Sequence, residues 1–306
     1  MACAAWVRKR ISTAAMAASD HSLPRGIVAR VLDERDVTSA LALSLEAGWN
    51  QIAADWRLFI ELGGVIGLLR DGRLIATAAT LPYAGGFAWI SMVLVTAAER
   101  RQGLASWLLR CCVDDLLARE LVPVLDATPA GRPVYIGLGF QDHWTLQRLI
   151  GRSVPMVAAG AGRAAMRPIE ADDWPRLIAY DTAAFGADRG DLLQRLAPRL
   201  HDAALIAERD GKLAGYLLGR DGRVMNQLGP LVAEDDAVAI DLLARAIGTI
   251  SSPIAIDLPD RHENLRAWLT SLGFAAERPL TRMGYGTKGA FDDAARLFAI
   301  AGPELG

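Results

Sequence analysis

The most informative stretch of this chain is Val93-Leu-Val-Thr-Ala-Ala-Glu-Arg-Arg-Gln-Gly-Leu-Ala-Ser106. An apolar predicted strand ends at Val95, a basic turn follows, and apolar positions then repeat with helical spacing. A strand, a turn with glycine and a helix start together form an anion site, because the first N–H groups of a helix lack intrahelical partners. Gly103 lets the backbone approach such a ligand closely. The sequence therefore predicts a phosphate-binding turn at residues 100–106.

Several short motifs on either side of this turn occur a second time in the chain. The motif Arg30-Val-Leu-Asp33-x-x-Asp36 returns as Arg167-Pro-Ile-Glu170-x-x-Asp173, and Leu138-Gly-Phe140 returns as Leu272-Gly-Phe274. The separations between copies are nearly constant and the order is kept, which indicates a duplicated domain.

Each copy has the same predicted order of a strand, helices, three strands, a helix, a strand, a helix and a strand. Asp71-Gly72 and Asp210-Gly211 separate apolar runs and predict tight hairpins, since both residue types tolerate positive φ. Strands mixed with helices in this order predict an α/β fold of the α+β type. We expect two tandem domains, each with a mixed central sheet flanked by helices.

The predicted boundaries follow the repeat. We expect one domain at residues 23–150, a Gly- and Ala-rich linker at 151–163 and a second domain at 164–286. Residues 1–22 are predicted to be a disordered or non-native extension. Residues 287–306 are predicted to be a helix and tail, with Phe291, Ala295 and Phe298 on one helical face.

Composition excludes several classes of protein. The 306 residues are 52% hydrophobic and 22% charged, with a net charge of −2, which is typical of a folded chain and unlike a nucleic-acid-binding protein. No apolar stretch is long enough for a membrane span. Three cysteines and four histidines form no metal-ligand pattern, so we expect no metal and a reducing, cytoplasmic location.

Two motifs carry a resemblance to a known family. Arg100-x-x-Gly103-x-Ala105 and Tyr135, four residues before Gly139-Phe140, are similar to signatures of the GNAT superfamily of acyl-CoA-dependent N-acetyltransferases. The resemblance covers residues 26–285 and is nearest to bacterial tandem GNAT proteins with a divergent C-terminal domain.

The resemblance implies that acetyl-CoA is bound between the fourth and fifth strands of the first domain. Backbone N–H groups near Leu94 and Val95 would polarise the thioester carbonyl. The residues implied in donor binding are Leu94, Val95, Arg100, Arg101, Gln102, Gly103, Leu104, Ala105 and Ser106.

The resemblance also implies a general acid, Tyr135, which would protonate the leaving thiolate. The alternative is that Tyr135 only packs beneath the last strand. Many relatives carry a glutamate on the fourth strand, but residues 89–95 contain no acid. Asp126 is the candidate base, unless it caps the turn that follows it. Trp49 and Asn50 are candidate acceptor-binding residues, although Trp49 could equally fill a core.

The second copy lacks these features. Ala233-Glu-Asp-Asp-Ala237 replaces the basic glycine turn, and Leu269 stands where the tyrosine would be needed. Carboxylates repel an anion at short range, so we expect a scaffold domain without donor binding.

These observations predict an N-acetyltransferase that moves an acetyl group from acetyl-CoA to a primary amine. The alternatives are a non-catalytic acyl-CoA sensor and an enzyme for longer acyl groups. We expect a small-molecule or peptide amine as acceptor, no nucleic-acid or membrane partner, and a monomer or homodimer.

Overall fold

The computed structural model describes residues 23–154, 164–251, 253–287 and 289–306. The predictions for residues 1–22 and for most of the linker lie outside these ranges. The chain divides into two compact units. The first unit contains residues up to Pro82 together with Phe87–Pro123, and the second contains Tyr83–Gly86 together with Val124–Gly306.

The first unit is built on a four-stranded sheet in the order β1-β2-β3-β4. Strand β1 pairs antiparallel with β2, and β2 pairs antiparallel with β3. The predicted hairpin is present, since Asp71 and Gly72 have φ values of 49° and 76°. The elements are β1 Ile27–Val31, α1 Val37–Glu46, α2 Ala53–Leu62, β2 Gly64–Arg70, β3 Arg73–Tyr83, β4 Phe87–Val95, α3 Leu104–Ala118 and β5 Val122–Ala127, within which the division falls.

The second unit repeats this order. Its elements are α4 Arg132–Gly137, β6 Phe140–Gly151, β7 Ala165–Pro168, α5 Trp174–Phe185, α6 Gly190–Leu196, β8 Leu205–Arg209, β9 Lys212–Arg220, β10 Asn226–Ala233, α7 Asp236–Ile247, β11 Ile254–Pro259, α8 Glu263–Ser271, β12 Ala275–Tyr285 and β13 Leu297–Ala299. Its sheet has the order β5-β12-β6-β11-β10-β9-β8-β7, and β13 pairs with β10. Strands β10 and β11 are parallel while their neighbours are antiparallel, so the predicted mixed sheet is confirmed.

The repeated Arg–Asp motif has one local structure in both copies. Arg30 donates to both carboxylate oxygens of Asp36 at 2.6 Å, and Asp36 also accepts the Asp33 N–H at 2.9 Å. Arg167 and Asp173 repeat the paired contact at 2.6 and 2.7 Å. The carboxylate therefore joins the first strand of each copy to the turn that begins its first helix.

The domain boundary that we expect at residues 151–163 stays a prediction, and the compact units divide at Pro123–Val124. The reason is strand pairing, because β6 lies between β11 and β12, and β12 in turn pairs with β5. A buried ion pair reinforces this arrangement. Arg148 on β6 donates to both oxygens of Asp257 on β11 at 2.8 and 2.6 Å.

The predicted C-terminal helix was wrong. Residues 297–299 form β13, which pairs antiparallel with β10, and Leu297, Phe298, Ala299 and Ile300 are all buried. The Ala233 N–H donates to the Arg296 carbonyl at 3.0 Å, and the Ile300 N–H donates to the Asp257 carbonyl at 3.2 Å. A helix with one apolar face would bury only some of these side chains, whereas a strand inside the fold buries all of them.

In the described ranges, no helix combines the length and the apolar character that a bilayer crossing requires.

Candidate active site

The turn between β4 and α3 has the geometry of an anion site. Gly103 is the N-cap of α3 with φ of 80°, a left-handed conformation that favours glycine. The first helical hydrogen bond runs from Trp107 N to the Gly103 carbonyl at 2.9 Å. The N–H groups of the preceding residues, Leu104, Ala105 and Ser106, therefore form the positive end of a fifteen-residue helix.

Positive charge and open space adjoin this helix start. Arg100, Arg101 and Gln102 are exposed, and a Cβ atom added to Gly103 would meet no atom within 4 Å. A cavity of about 370 Å³ lies beside the turn. Its lining residues are Leu23, Pro24, Gln102, Gly103, Leu104, Ser106, Trp107 and Arg110. Of these, Arg110 was not predicted from the sequence as a site residue. Its position two turns into the predicted helix could have indicated it.

Two acidic side chains fix the turn from outside. Glu99 accepts from Arg70 Nε at 2.9 Å and from Gln102 Nε2 at 2.9 Å. Glu46, at the end of α1, accepts the Ala97 N–H at 2.6 Å and the Thr96 hydroxyl at 2.8 Å. The Ala97 N–H holds the pKa of Glu46 below its ordinary value. Both contacts were missed because nothing in the local sequence connects Glu46 or Arg70 with this turn.

Strand β4 contains a kink. Met92 has φ of 52°, a left-handed conformation that is rare for a side chain of this kind, although its neighbours are extended. Leu94 is buried and Val95 half-buried just beyond the kink. The kink lies beside the backbone to which the family resemblance assigned the thioester carbonyl. Backbone outliers of this kind concentrate at functional sites. No sequence signal marked Met92.

Tyr135 lies in α4 of the second unit. Its ring packs against Phe140 with centroids 6.1 Å apart, and burial raises the pKa of its hydroxyl. Within the described residues this hydroxyl makes no hydrogen bond. A phenol in this state remains protonated at neutral pH and keeps its proton available for donation.

The side chain of Asp126, near the end of β5, is buried and is bound by Arg282 of β12. Arg282 Nε and Nη2 donate to its two carboxylate oxygens at 3.0 and 2.9 Å. Burial raises the pKa of Asp126, and the guanidinium charge opposes that effect. The expected turn-capping contact is replaced by this ion pair, whose other member comes from the far end of the chain.

The two candidate acceptor-binding residues lie on a connection between helices. Trp49 and Asn50 are half-buried in the loop between α1 and α2. The neighbouring Trp56 is fully buried, and its Nε1 donates to Ser44 Oγ at 3.2 Å, so that residue belongs to the core. His143 on β6 is hydrogen-bonded through Nε2 to the Thr287 carbonyl at 2.9 Å.

The corresponding turn of the second copy is short and acidic. Strand β10 ends at Ala233 and Asp235 is already the N-cap of α7, where its carboxylate accepts the Val238 N–H at 2.9 Å. Arg209 pairs with Asp235 and is the main cause of its lowered pKa. Leu269, at the tyrosine position, is fully buried. The described residues contain no cluster of three or more His, Cys, Asp or Glu that could hold a metal.

Comparisons with known proteins agree with this fold. Residues 36–140 match the model of the acetyltransferase (GNAT) family, and residues 177–299 match that of the acetyltransferase (GNAT) domain. An uncharacterized N-acetyltransferase of Bacillus subtilis, YitH, is 26% identical over 276 residues, which cover 90% of this chain and 97% of that protein.

Two solved structures are similar in fold over most of this chain. A putative acetyltransferase from Pyrococcus horikoshii has a TM-score of 0.77 at 17% identity and covers 94% of this chain and 98% of its own. A tandem GNAT protein from the clavulanic acid biosynthesis pathway has a TM-score of 0.57 at 13% identity and covers 84% and 98%.

The fold and these matches define an acyltransferase enzyme. The chain belongs to the GNAT superfamily of N-acetyltransferases and carries two GNAT domains in tandem.

Proposed function

We propose that this enzyme transfers an acetyl group from acetyl-CoA to a primary amine. The observation that carries the proposal is the turn at residues 100–106, where a left-handed Gly103, the exposed Arg100 and Arg101 and the start of α3 provide charge and N–H donors for a pyrophosphate. Its neighbours Glu46 and Glu99 hold the loop in place without competing for the ligand, since both are already engaged.

The proposed reaction is a direct transfer. The neutral amine attacks the thioester carbonyl carbon, a C–N bond forms, and the C–S bond then breaks with the electron pair leaving on sulfur. Backbone N–H groups at Leu94 and Val95 would stabilise the negative charge on the carbonyl oxygen. Tyr135 would give its proton to the thiolate, and the extra proton on the nitrogen of the tetrahedral intermediate would pass to a base or water, which leaves a neutral amide.

Asp126 remains the proposed base, and the effect of burial on its pKa favours that role. Its two hydrogen bonds to Arg282 favour a positioning role at the end of β5 instead. Trp49 and Asn50 remain the proposed acceptor-binding residues, with a small-molecule or peptide amine as the acceptor. We retain a cytoplasmic location, supported by the buried thiols of Cys111 and Cys112, and a monomer or homodimer.

A thiol-release screen tests the proposal. The protein is incubated with acetyl-CoA and a panel of primary amines, together with matched alcohols as controls, and products are identified by mass spectrometry. We expect at least one amine to accelerate thiol release and to gain one acetyl group. Acetylation of alcohols alone, or failure of the protein to bind acetyl-CoA, would overturn the assignment.

A further inference from the structure

A buried threonine on β3 contacts the kink in β4. Thr77 Oγ1 donates to the Met92 carbonyl oxygen at 2.9 Å, and both residues are buried, with exposures of 0% and 2%. A buried carbonyl costs free energy when it has no partner, so a carbonyl displaced by a kink requires a donor. Thr77 supplies that donor from its side chain.

A second contact holds β4 a few residues further on. The Thr96 N–H donates to the Ile75 carbonyl at 2.9 Å. The two contacts lie on either side of residues 93–95, and both use neighbouring positions of β3. This short segment, which contains Leu94 and Val95, is therefore fixed at both ends against one strand.

From this arrangement we propose that Thr77 is a positioning residue for acyl transfer. Its hydroxyl stabilises the left-handed conformation of Met92 and so fixes the direction of the backbone N–H groups at Leu94 and Val95. The inference rests on the proposed function, because those N–H groups act on the thioester carbonyl of the donor. Thr77 itself does not touch the substrate.

The chain offers a matched control on the same strand. Thr80 is also on β3 and fully buried, but within the described residues its hydroxyl has no hydrogen-bond partner. Thr77→Val and Thr80→Val each replace a hydroxyl by a methyl group at a buried position. Only Thr77→Val removes a hydrogen bond to the kink, so the pair separates positioning from general effects on the core.

The test compares kcat for acetyl transfer with Kd for CoA, which lacks the acetyl carbonyl. We expect Thr77→Val to lower kcat by about 10-fold or more, because loss of one oxyanion donor in other enzymes costs about 10²–10³-fold. The Kd for CoA should stay within about 2-fold, since the pyrophosphate turn is separate from the kink. Thr80→Val should match the wild type, and Thr77→Ser, which keeps the hydroxyl, should restore kcat.

A spectroscopic readout makes the test independent of the acceptor. The carbonyl resonance of acetyl-CoA labelled there with ¹³C should move downfield when it binds the wild type or Thr80→Val. It should move less when it binds Thr77→Val. Equal shifts and equal kcat for the two valine variants would overturn the proposal. If Thr77→Val does not fold, Thr77→Ala against Thr77→Ser provides the same comparison. A wild type that binds no acetyl-CoA would instead refute the proposed function.

Discussion

Among single residues, Gly103 and Tyr135 contribute to the proposed site in different ways. Gly103 contributes only its backbone, because its left-handed φ turns the chain into α3 and leaves the approach to the helix start open. Tyr135 contributes one hydroxyl, held by a ring that packs against Phe140. Its predicted role as general acid depends on that proton alone.

Tyr135→Phe tests this role. The substitution removes the hydroxyl and keeps the ring, so the fold and CoA binding should survive. We expect kcat to fall by on the order of 10²-fold or more, because a positioned general acid contributes about that factor. The measurement is thiol release with an active amine, alongside a melting curve. A folded variant with nearly full kcat, when chemistry is rate-limiting, would remove Tyr135 from the mechanism.

Local sequence predicted the residues of the turn but not those that support it. Arg100, Gly103 and Ala105 are adjacent in the chain and have a recognisable spacing. Glu46, Arg70 and Thr77 reach the same region from other elements, and their hydrogen bonds exist only once the chain has folded. The Arg282 partner of Asp126 was hidden for the same reason, since 156 residues separate the two in the chain.

At the scale of elements, the C-terminal segment shows how tertiary context overrides a local pattern. Phe291, Ala295 and Phe298 have helical spacing, yet Leu297–Ala299 form a buried strand, β13, which pairs with β10 in a groove beside that strand. The close fit is visible at Gly229 of β10, where a Cβ atom would lie 2.1 Å from the Ile300 carbonyl oxygen. The sequence shows no sign of this groove, which forms only in the assembled sheet.

Gly229→Ala should loosen this segment. The added methyl group clashes with the Ile300 backbone, so we expect a lower Tm and faster tryptic cleavage after Arg296. Gly273→Ala is the control, because Gly273 also has positive φ, 88°, but its Cβ atom would meet nothing within 4 Å. Equal protection of Arg296 in the two variants would show that β13 is not held by this contact.

At the scale of the whole molecule, duplication has been followed by divergence. The strand order, the hairpins and the Arg–Asp motif are retained in both copies, which is why the repeat could be read from the sequence. In the second copy, the Asp235 carboxylate accepts an N–H group at the start of α7. Strand β13 pairs with β10, which is the fourth strand of that copy. In the first copy the resemblance places the acyl donor beside the fourth strand.

We therefore expect the second copy to bind no CoA. A carboxylate already accepts the helix N–H that a phosphate would use, and repulsion by Glu234 and Asp236 adds to this effect. The groove beside β10 is also occupied by the chain itself. The whole protein should accordingly have one donor site, in its first copy.

Calorimetric titration with CoA, on the wild type, Gly103→Asp and Gly86→Asp, counts the donor sites per chain and shows whether the site is in the first copy. The two glycines have φ of 80° and 81° and open surroundings. Gly86 precedes β4 while the turn at residues 100–106 follows it, so Gly86→Asp controls for backbone strain and added charge. We predict one CoA per chain for the wild type and Gly86→Asp, and no binding to a folded Gly103→Asp. Two sites per chain, or unchanged affinity in Gly103→Asp, would contradict this prediction.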